Sequence, residues 1–227
     1  QLAKQANENN KQVLIVEGGP GTGKSVVAVN LLVGITHLSK LVQYVSKNAA
    51  PRAVYASKLT KSMTKTRFNH LFIGSGAFTD VAKNTFDALV VDEAHRLNEK
   101  SGLYSNLGEN QVKEIIDAAK FSVFFIDEDQ RVTMKDIGNK MEIEKWAKAA
   151  GAKVHKMELA SQFRCAGSDG YLAWLDNVLQ IRETANTSVK ELNYDFRIMS
   201  SPNELRDLIF QKNKENNKAR LVAGYCW

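Results

Sequence analysis

The sequence contains few of the residues that cross-link, interrupt or anchor a chain. Its 227 residues include three prolines and two cysteines, which excludes a proline-rich or disulfide-stapled protein. Cys165 and Cys226 have no CxxC spacing, as expected for incidental thiols in a reducing compartment. The apolar stretch over residues 26–35 has half of the ~20 residues that cross a bilayer. We therefore expect a globular cytoplasmic protein without a membrane span.

Neither end of the chain looks like a natural terminus. Gln1 is not preceded by a methionine, no charged-then-apolar leader opens the sequence, and an apolar run over residues 221–227 closes it. We expect the chain to be part of a longer protein. Its length allows one large domain, or one domain and part of another.

Acidic residues are missing from residues 18–79. Eight basic residues lie in this segment: Lys24, Lys40, Lys47, Arg52, Lys58, Lys61, Lys65 and Arg67. The rest of the chain holds 23 basic and 25 acidic residues. Charge of one sign in one region favours a polyanionic partner, most often nucleic acid. A solvated lysine-rich face is the alternative that charge patterning leaves open.

Short β-branched and aromatic runs alternate with helical stretches, a pattern that predicts a parallel sheet covered by helices on both faces. The predicted strands are residues 13–16, 41–45, 88–91, 123–126 and 154–159, followed later by 194–199 and 220–224. The predicted helices are residues 25–36, 111–120, 143–150, 169–181 and 203–212. The fold class is therefore α/β.

Residues 18–25 read GGPGTGKS and fit the phosphate-loop pattern between a predicted strand and a predicted helix. Glycines let the backbone N–H groups face a phosphate, and the helix N-terminus favours the anion. Lys24 is expected to reach the β- and γ-phosphates and the Ser25 hydroxyl to ligate Mg²⁺. The predicted nucleotide-binding residues are Gly19, Pro20, Gly21, Thr22, Gly23, Lys24 and Ser25. A chance glycine-rich loop is the alternative.

Asp92 and Glu93 directly follow the predicted strand at residues 88–91. A carboxylate at the end of a buried strand needs a compensating cation, so Asp92 is the expected Mg²⁺ ligand. Glu93 is placed to orient and deprotonate a water that attacks the γ-phosphate. A helix N-cap with acidic first-turn residues is the alternative. For His95 two roles remain open: it could couple nucleotide state to a neighbouring surface, or it could simply pack in a turn.

Two later segments also place polar groups after predicted strands. Gln130 ends the run Asp-Glu-Asp-Gln that follows residues 123–126, and its amide can sense the γ-phosphate or the attacking water. An exposed acidic turn is the alternative. Arg164 follows the strand at residues 154–159, and its guanidinium suits the charge that develops on a transferring phosphoryl group. An isolated arginine is more often a surface residue.

In this order, the four segments resemble the first four helicase motifs of superfamily 1. The sequence Lys47-Asn48-Ala49-Ala50 is similar to motif Ia, which touches single-stranded nucleic acid in that superfamily. More narrowly, a bacterial ATPase family described as Schlafen group 3-like DNA/RNA helicase domains is similar over nearly the whole chain. The segments that carry this resemblance are GGPGTGKSVVAVNLL, VDEAHRL, FFIDEDQRV and QFRCAGSDGYLAWLDNVL.

The resemblance implies a P-loop NTPase with a RecA-like sheet over residues 1–160. Residues 161–227 would open a second RecA-like α/β domain, with motifs V and VI and an arginine finger beyond Trp227. Gln5 is the candidate for the adenine-reading glutamine of these helicases. Catalysis would use Glu93, Gln130 and Arg164, with ATP and Mg²⁺ as cofactors.

The implied activity is ATP hydrolysis coupled to movement on, or remodelling of, single-stranded DNA or RNA. The residues expected to line a nucleic-acid track are Lys47, Asn48, Arg52, Lys58, Lys61 and Lys65. A nucleotide-dependent switch or sensor that binds a protein partner without translocating is the alternative. A small-molecule kinase is disfavoured, because Glu93 and Gln130 provide for an attacking water that a kinase must exclude.

Overall fold

The computed structural model describes residues 1–102, 104–160, 169–188 and 195–223. The chain divides into two compact units, Gln1–Asp169 and Gly170–Trp227. Within these described ranges, no helix combines the length and the apolar character needed to cross a bilayer.

The first unit alternates strands and helices, as the sequence predicts. Its strands are β1 (Gln12–Glu17), β2 (Val42–Ser46), β3 (Phe72–Ile73), β4 (Phe86–Asp92), β5 (Ala119–Ile126) and β6 (Lys153–Glu158). Its helices are α1 (Leu2–Gln5), α2 (Lys24–Thr36), α3 (Ala49–Leu59), α4 (Lys65–Leu71), α5 (Gln111–Ala118) and α6 (Lys140–Ala149). Short 3-10 turns follow β4 and β5, at Ala94–Arg96 and Glu128–Gln130.

The six strands form one sheet in the order β3-β2-β4-β5-β1-β6, and every neighbouring pair is parallel. All carboxyl ends therefore lie along one edge. Strand β5 separates β1 from β4, so the residues after β5 lie between the glycine-rich loop after β1 and the two carboxylates after β4. The predicted α/β class, with a parallel sheet of the P-loop type, is confirmed.

Side chains of β1 alternate between two apolar cores, one on each face of the sheet. Val13 and Ile15 belong to the core that contains residues of α5 and α6. Leu14 and Val16 belong to the opposite core, which contains residues of α2. Both faces are thus covered by helices, which explains why the strand is apolar at nearly every position.

Some predicted helices are too long, including the one over residues 169–181, which ends at Val178. The helix predicted over residues 111–120 ends at Ala118, and Ala119 already begins β5. Ala119 pairs with Phe86 at the start of β4, and Lys120 Nζ lies 3.1 Å from Asp87 Oδ1 of the same strand. Pairing with a distant strand overrides the local helical preference here.

The second unit contains α7 (Asp169–Val178) and α8 (Pro202–Asn216). The Ser201 side chain accepts a hydrogen bond from the Glu204 N–H and caps α8, in agreement with a helix start at Pro202. Residues 195–199 and 220–223 are not strands, so the two late strand predictions are wrong within the described residues. A strand requires a hydrogen-bonded neighbour, and apolar composition alone does not supply one. The second RecA-like domain stays a prediction.

Gly138 marks a close approach between the loop after β5 and the turn after β4. A Cβ built on Gly138 would meet the Ala94 carbonyl oxygen at 1.7 Å. Nearby, the Ile137 N–H donates to the Leu97 carbonyl at 2.8 Å. Only a residue without a side chain fits at this position while the two segments keep their spacing.

We predict that Gly138→Ala lowers the free energy of unfolding by about 1–3 kcal/mol, the usual cost of overpacking. Gly34→Ala is the matched control, because Gly34 lies inside α2 and a Cβ there meets nothing within 4 Å. That variant should be more stable by about 0.5–1 kcal/mol, since alanine favours the helix. Urea unfolding measures both changes. Equal effects of the two variants would contradict the close approach.

Candidate functional site

A pocket of about 250 Å³ lies at the carboxyl edge of the sheet, between the loop after β1 and the ends of β4 and β5. It is lined by Pro20, Gly21, Gly23, Lys24, Ser25, Val26, Glu93 and Gln130. All but Val26 are residues that the sequence singled out. The strand order brings them together, although they come from three separate segments.

The glycine-rich loop has a backbone that most side chains would strain. Gly21 and Gly23 have φ values of 79° and 85°, in the left-handed region that glycine adopts without a steric penalty. Gly23 is also the N-cap of α2. The loop is tightened by Thr22 Oγ1, which donates to the Gly19 carbonyl at 3.0 Å. The first turn of α2 thus opens onto the pocket, where backbone N–H groups favour an anion.

Lys24 is 6% exposed, and protein oxygens surround its ammonium group. Lys24 Nζ donates to the Gly18 carbonyl at 2.6 Å and to the Gly19 carbonyl at 2.9 Å. It also forms an ion pair with Asp127 Oδ2 at 3.3 Å. Burial raises the pKa of Asp127, and Lys24 opposes that shift. The sequence drew attention to Asp127 only as the start of its acidic run.

Asp92 ends β4 and is 2% exposed. Its Oδ1 accepts from the Glu93 N–H at 3.0 Å, and its Oδ2 accepts from the Tyr44 hydroxyl at 2.5 Å. The Ser25 side chain, at the start of α2, also acts on this carboxylate and lowers its pKa. Burial raises the pKa of Asp92, while the Tyr44 and Ser25 side chains favour the ionised carboxylate.

Glu93 has a left-handed backbone, with φ 54° and ψ 42°, which is costly for a residue with a side chain. Its Oε2 lies 3.1 Å from His95 Nε2. The other ring nitrogen, His95 Nδ1, accepts from the Asp127 N–H at 3.1 Å. Because Nδ1 is the acceptor, the hydrogen of the neutral ring is on Nε2 and is donated to Glu93. The bond from His95 lowers the pKa of Glu93.

Three groups that frame the site were not assigned from the sequence. The sequence allows His95 either to couple nucleotide state to a neighbouring surface or to pack in a turn. In the structure it is almost fully buried and contacts Glu93 after β4 and the Asp127 N–H after β5. Tyr44 was overlooked because tyrosine is common in strands, although a buried phenol requires a hydrogen-bond partner. Asp127 carries the same kind of signal as Asp92, a carboxylate directly after an apolar strand.

The predicted nucleic-acid residues are in different environments. Lys58, Lys61 and Lys65 are exposed at the end of α3, in the following turn and at the start of α4. Asn48 is the N-cap of α3, and the Arg52 guanidinium lies beside Gly74. Arg164 lies outside the described residues.

Lys47 belongs to an ion-pair cluster around a buried carboxylate. Its Nζ lies 2.8 Å from Asn98 Oδ1 and 3.2 Å from Asp136 Oδ1. Arg96 Nε lies 3.1 Å from the other oxygen of Asp136, which is wholly buried. Burial opposes ionisation of Asp136, but the N–H groups of Thr133 and Val132 and the Lys47 ammonium together lower its pKa to about 2. These contacts compete with any phosphate for Lys47.

Comparison with known proteins identifies a matching family. Residues 11–227 match the model of the Schlafen group 3, DNA/RNA helicase domain. The uncharacterized protein YPL245W of Saccharomyces cerevisiae is 22% identical over 245 aligned positions, covering 94% of this chain and 54% of that protein. The chain thus spans about half the length of this curated relative.

Two solved structures show a weaker similarity, with lower sequence identity and low TM-scores. A DNA replication initiation factor is 16% identical, with a TM-score of 0.36 over 95% of this chain and 60% of that one. DnaA from Aquifex aeolicus with bound AMPPCP is 16% identical, with a TM-score of 0.34 over 96% of this chain and 63% of that one.

Proposed function

The chain belongs to the Schlafen group 3 DNA/RNA helicase domain family, and on this premise we propose that it binds Mg-ATP in the pocket beside α2 and hydrolyses it. Hydrolysis would drive movement on, or remodelling of, single-stranded DNA or RNA, as in superfamily 1 helicases. The observation that carries the proposal is the pocket itself. It combines the glycine-rich loop, Lys24 and Ser25 with Glu93 and Gln130.

Phosphate binding is assigned to the loop at residues 19–25. The loop contains two left-handed glycines and leads into the first turn of α2, where N–H groups have no partner within the helix and the helix dipole also favours an anion. Lys24 supplies a full positive charge. Its three hydrogens are already directed at Gly18, Gly19 and Asp127, so a phosphate oxygen replaces one of these acceptors.

Ser25 and Asp92 fit a magnesium site. Mg²⁺ is commonly held by one or two carboxylates together with substrate phosphates and water, and here the buried Asp92 carboxylate interacts with the Ser25 side chain of the phosphate loop. When bound, the ion neutralises negative charge on the β- and γ-phosphates. The Asp92 carboxylate and the Ser25 hydroxyl oxygen would hold it.

Glu93 is the proposed general base. It lines the pocket, and His95 holds its carboxylate by a hydrogen bond. With its pKa lowered, Glu93 stays ionised and able to accept a proton from water. Gln130 lies on the same pocket wall, where its amide can bind either the water or the γ-phosphate. The role of Arg164 at the γ-phosphate rests on the family resemblance.

Nucleic-acid binding is assigned to the exposed lysines of the acid-free segment. Lys58, Lys61 and Lys65 extend into solvent from α3, α4 and the turn between them. No acidic residue lies between residues 18 and 79 to neutralise them. Phosphate neutralisation by such residues gives a salt-dependent affinity that does not depend on base sequence.

We predict that Lys24→Ala weakens binding of Mg-ADP at least tenfold, because a charge-assisted hydrogen bond contributes about 1.5–3 kcal/mol. Calorimetry on the 227-residue chain measures the affinity. Lys40→Ala is the matched control, since Lys40 makes only a long 3.9 Å ion pair with Asp87 and has no place in the pocket. Binding by Lys24→Ala equal to that of the unaltered chain would refute the nucleotide site.

We predict different losses for the two adjacent carboxylates. Asp92→Asn should reduce Mg²⁺-dependent nucleotide binding, because a metal ligand is lost. Glu93→Gln should keep that binding and lower kcat for ATP hydrolysis by about 10²–10⁴-fold, the usual contribution of a general base. Turnover is measured with the full-length protein. The exposed Glu99 provides the control Glu99→Gln, and normal turnover by Glu93→Gln would rule out its role as the base.

We predict that the triple variant Lys58→Glu, Lys61→Glu, Lys65→Glu binds single-stranded DNA and RNA more weakly at every sequence, with unchanged nucleotide affinity. The slope of log affinity against log salt concentration is negative, and it should become less steep by about one for each lost phosphate contact. Filter binding across a salt series measures both quantities in the full-length protein.

The matched control changes three exposed lysines outside the acid-free segment: Lys83→Glu, Lys148→Glu and Lys153→Glu. It carries the same change in net charge, so any general electrostatic effect appears in both variants. If the two triple variants had equal affinity for nucleic acid and equal salt slopes, Lys58, Lys61 and Lys65 would be a solvated face without a role in binding. If nucleic acid also failed to stimulate ATP hydrolysis, the switch or sensor function would be favoured instead.

A further inference from the structure

Tyr44 is a wholly buried tyrosine whose hydroxyl donates to Asp92 Oδ2 at 2.5 Å. In the register of β2 with β4, Tyr44 is opposite Val90 and Ser46 is opposite Asp92. Side chains two residues apart on a strand share a face. Tyr44 and Asp92 therefore lie on the same face of the sheet, and the tyrosine side chain reaches the carboxylate from the neighbouring strand.

Phenylalanine would fill the same apolar space without a polar group to bury. A buried hydroxyl costs free energy unless it is hydrogen-bonded, so the bond to Asp92 is the feature that distinguishes tyrosine here. The Glu93 N–H donates to the other oxygen, Asp92 Oδ1. Two donors, one on each oxygen, hold the plane of the carboxylate in one orientation.

Tyr44 is itself held in place by aromatic neighbours. The Tyr55 ring of α3 packs edge-on at a centroid distance of 5.7 Å, and the Phe72 ring of β3 lies at 5.2 Å. These two ring contacts fix the Tyr44 ring, and with it the direction of its hydroxyl.

We propose that Tyr44 is a positioning residue for Asp92: its hydroxyl fixes the carboxylate in the orientation that binds Mg²⁺, and Tyr55 holds Tyr44 in turn. This inference rests on the proposed function, in which Asp92 is the metal ligand. It adds that the orientation of Asp92 depends on α3, the helix that carries Lys58. Groups that orient a metal ligand typically change metal affinity by about 10–100-fold.

The test compares the affinity of the 227-residue chain for ADP in excess MgCl₂ and in EDTA, by calorimetry. The ratio of the two affinities is the Mg²⁺-dependent gain. Tyr44→Phe should reduce this gain by about tenfold while the affinity in EDTA stays within about twofold. A merely structural role would lower both affinities together.

Two controls separate the hydroxyl from the ring. Tyr104 is 82% exposed, so Tyr104→Phe removes a phenol hydroxyl elsewhere and should leave the gain unchanged. Phe72→Leu disturbs the aromatic cluster without removing a hydroxyl. It should lower the melting temperature and leave the Mg²⁺-dependent gain nearly unchanged. An unchanged gain in Tyr44→Phe, or equal losses with and without Mg²⁺, would overturn the inference.

Failure of the proposed function has a different result. If the unaltered chain bound ADP equally well in MgCl₂ and in EDTA, Asp92 would not be a metal ligand, and the magnesium site and this inference would both fall. If Tyr44→Phe did not fold, Tyr55→Leu, which removes the ring packed against Tyr44 and leaves the Tyr44 hydroxyl in place, would decide the question. A smaller gain of the same sign supports the inference, and an unchanged gain overturns it.

Discussion

Three charged side chains, Lys24, Asp92 and Asp127, are almost fully buried at one edge of a parallel sheet, and the rest of the site is arranged around keeping them there. Burying a charge is costly unless hydrogen bonds and opposite charges replace the lost water. Lys24 and Asp127 form an ion pair with each other. Among the residues that the structure describes, Asp92 has no such partner, and its contacts are with hydroxyl and N–H donors, an environment that suits a cation.

Much of this arrangement follows from local sequence. The glycine-rich pattern predicted the loop and the start of α2, because glycine is needed where φ is positive and an anion site needs a helix N-terminus. The apolar runs located five of the six strands within a few residues. Strand β3 has only two residues and is too short to leave a pattern, and the helix predicted to continue to Lys120 shows that strand pairing over a long separation can reverse a local preference.

What the sequence did not predict depends on the order of the strands. No local signal places β5 between β1 and β4, yet this position brings Gln130 into the pocket and Asp127 to Lys24. Nothing in the local sequence marks Tyr44 on β2 as a site residue, because its contact with Asp92 depends on the register of β2 against β4. The predicted residues were thus mostly those that adjoin the phosphate loop or end a strand, whereas those that support them come from neighbouring strands.

The ion pairs of Asp136 have a consequence for local unfolding. This one buried carboxylate binds Lys47 after β2, Arg96 after β4 and two N–H groups of its own loop after β5. Exposing any one of these loops breaks bonds that the others need, so the three should open as one cooperative unit with a common free energy. Amide hydrogens in these three loops, which are far apart in the chain, would then exchange with solvent through the same opening event. The loops at the carboxyl edge would unfold and refold together.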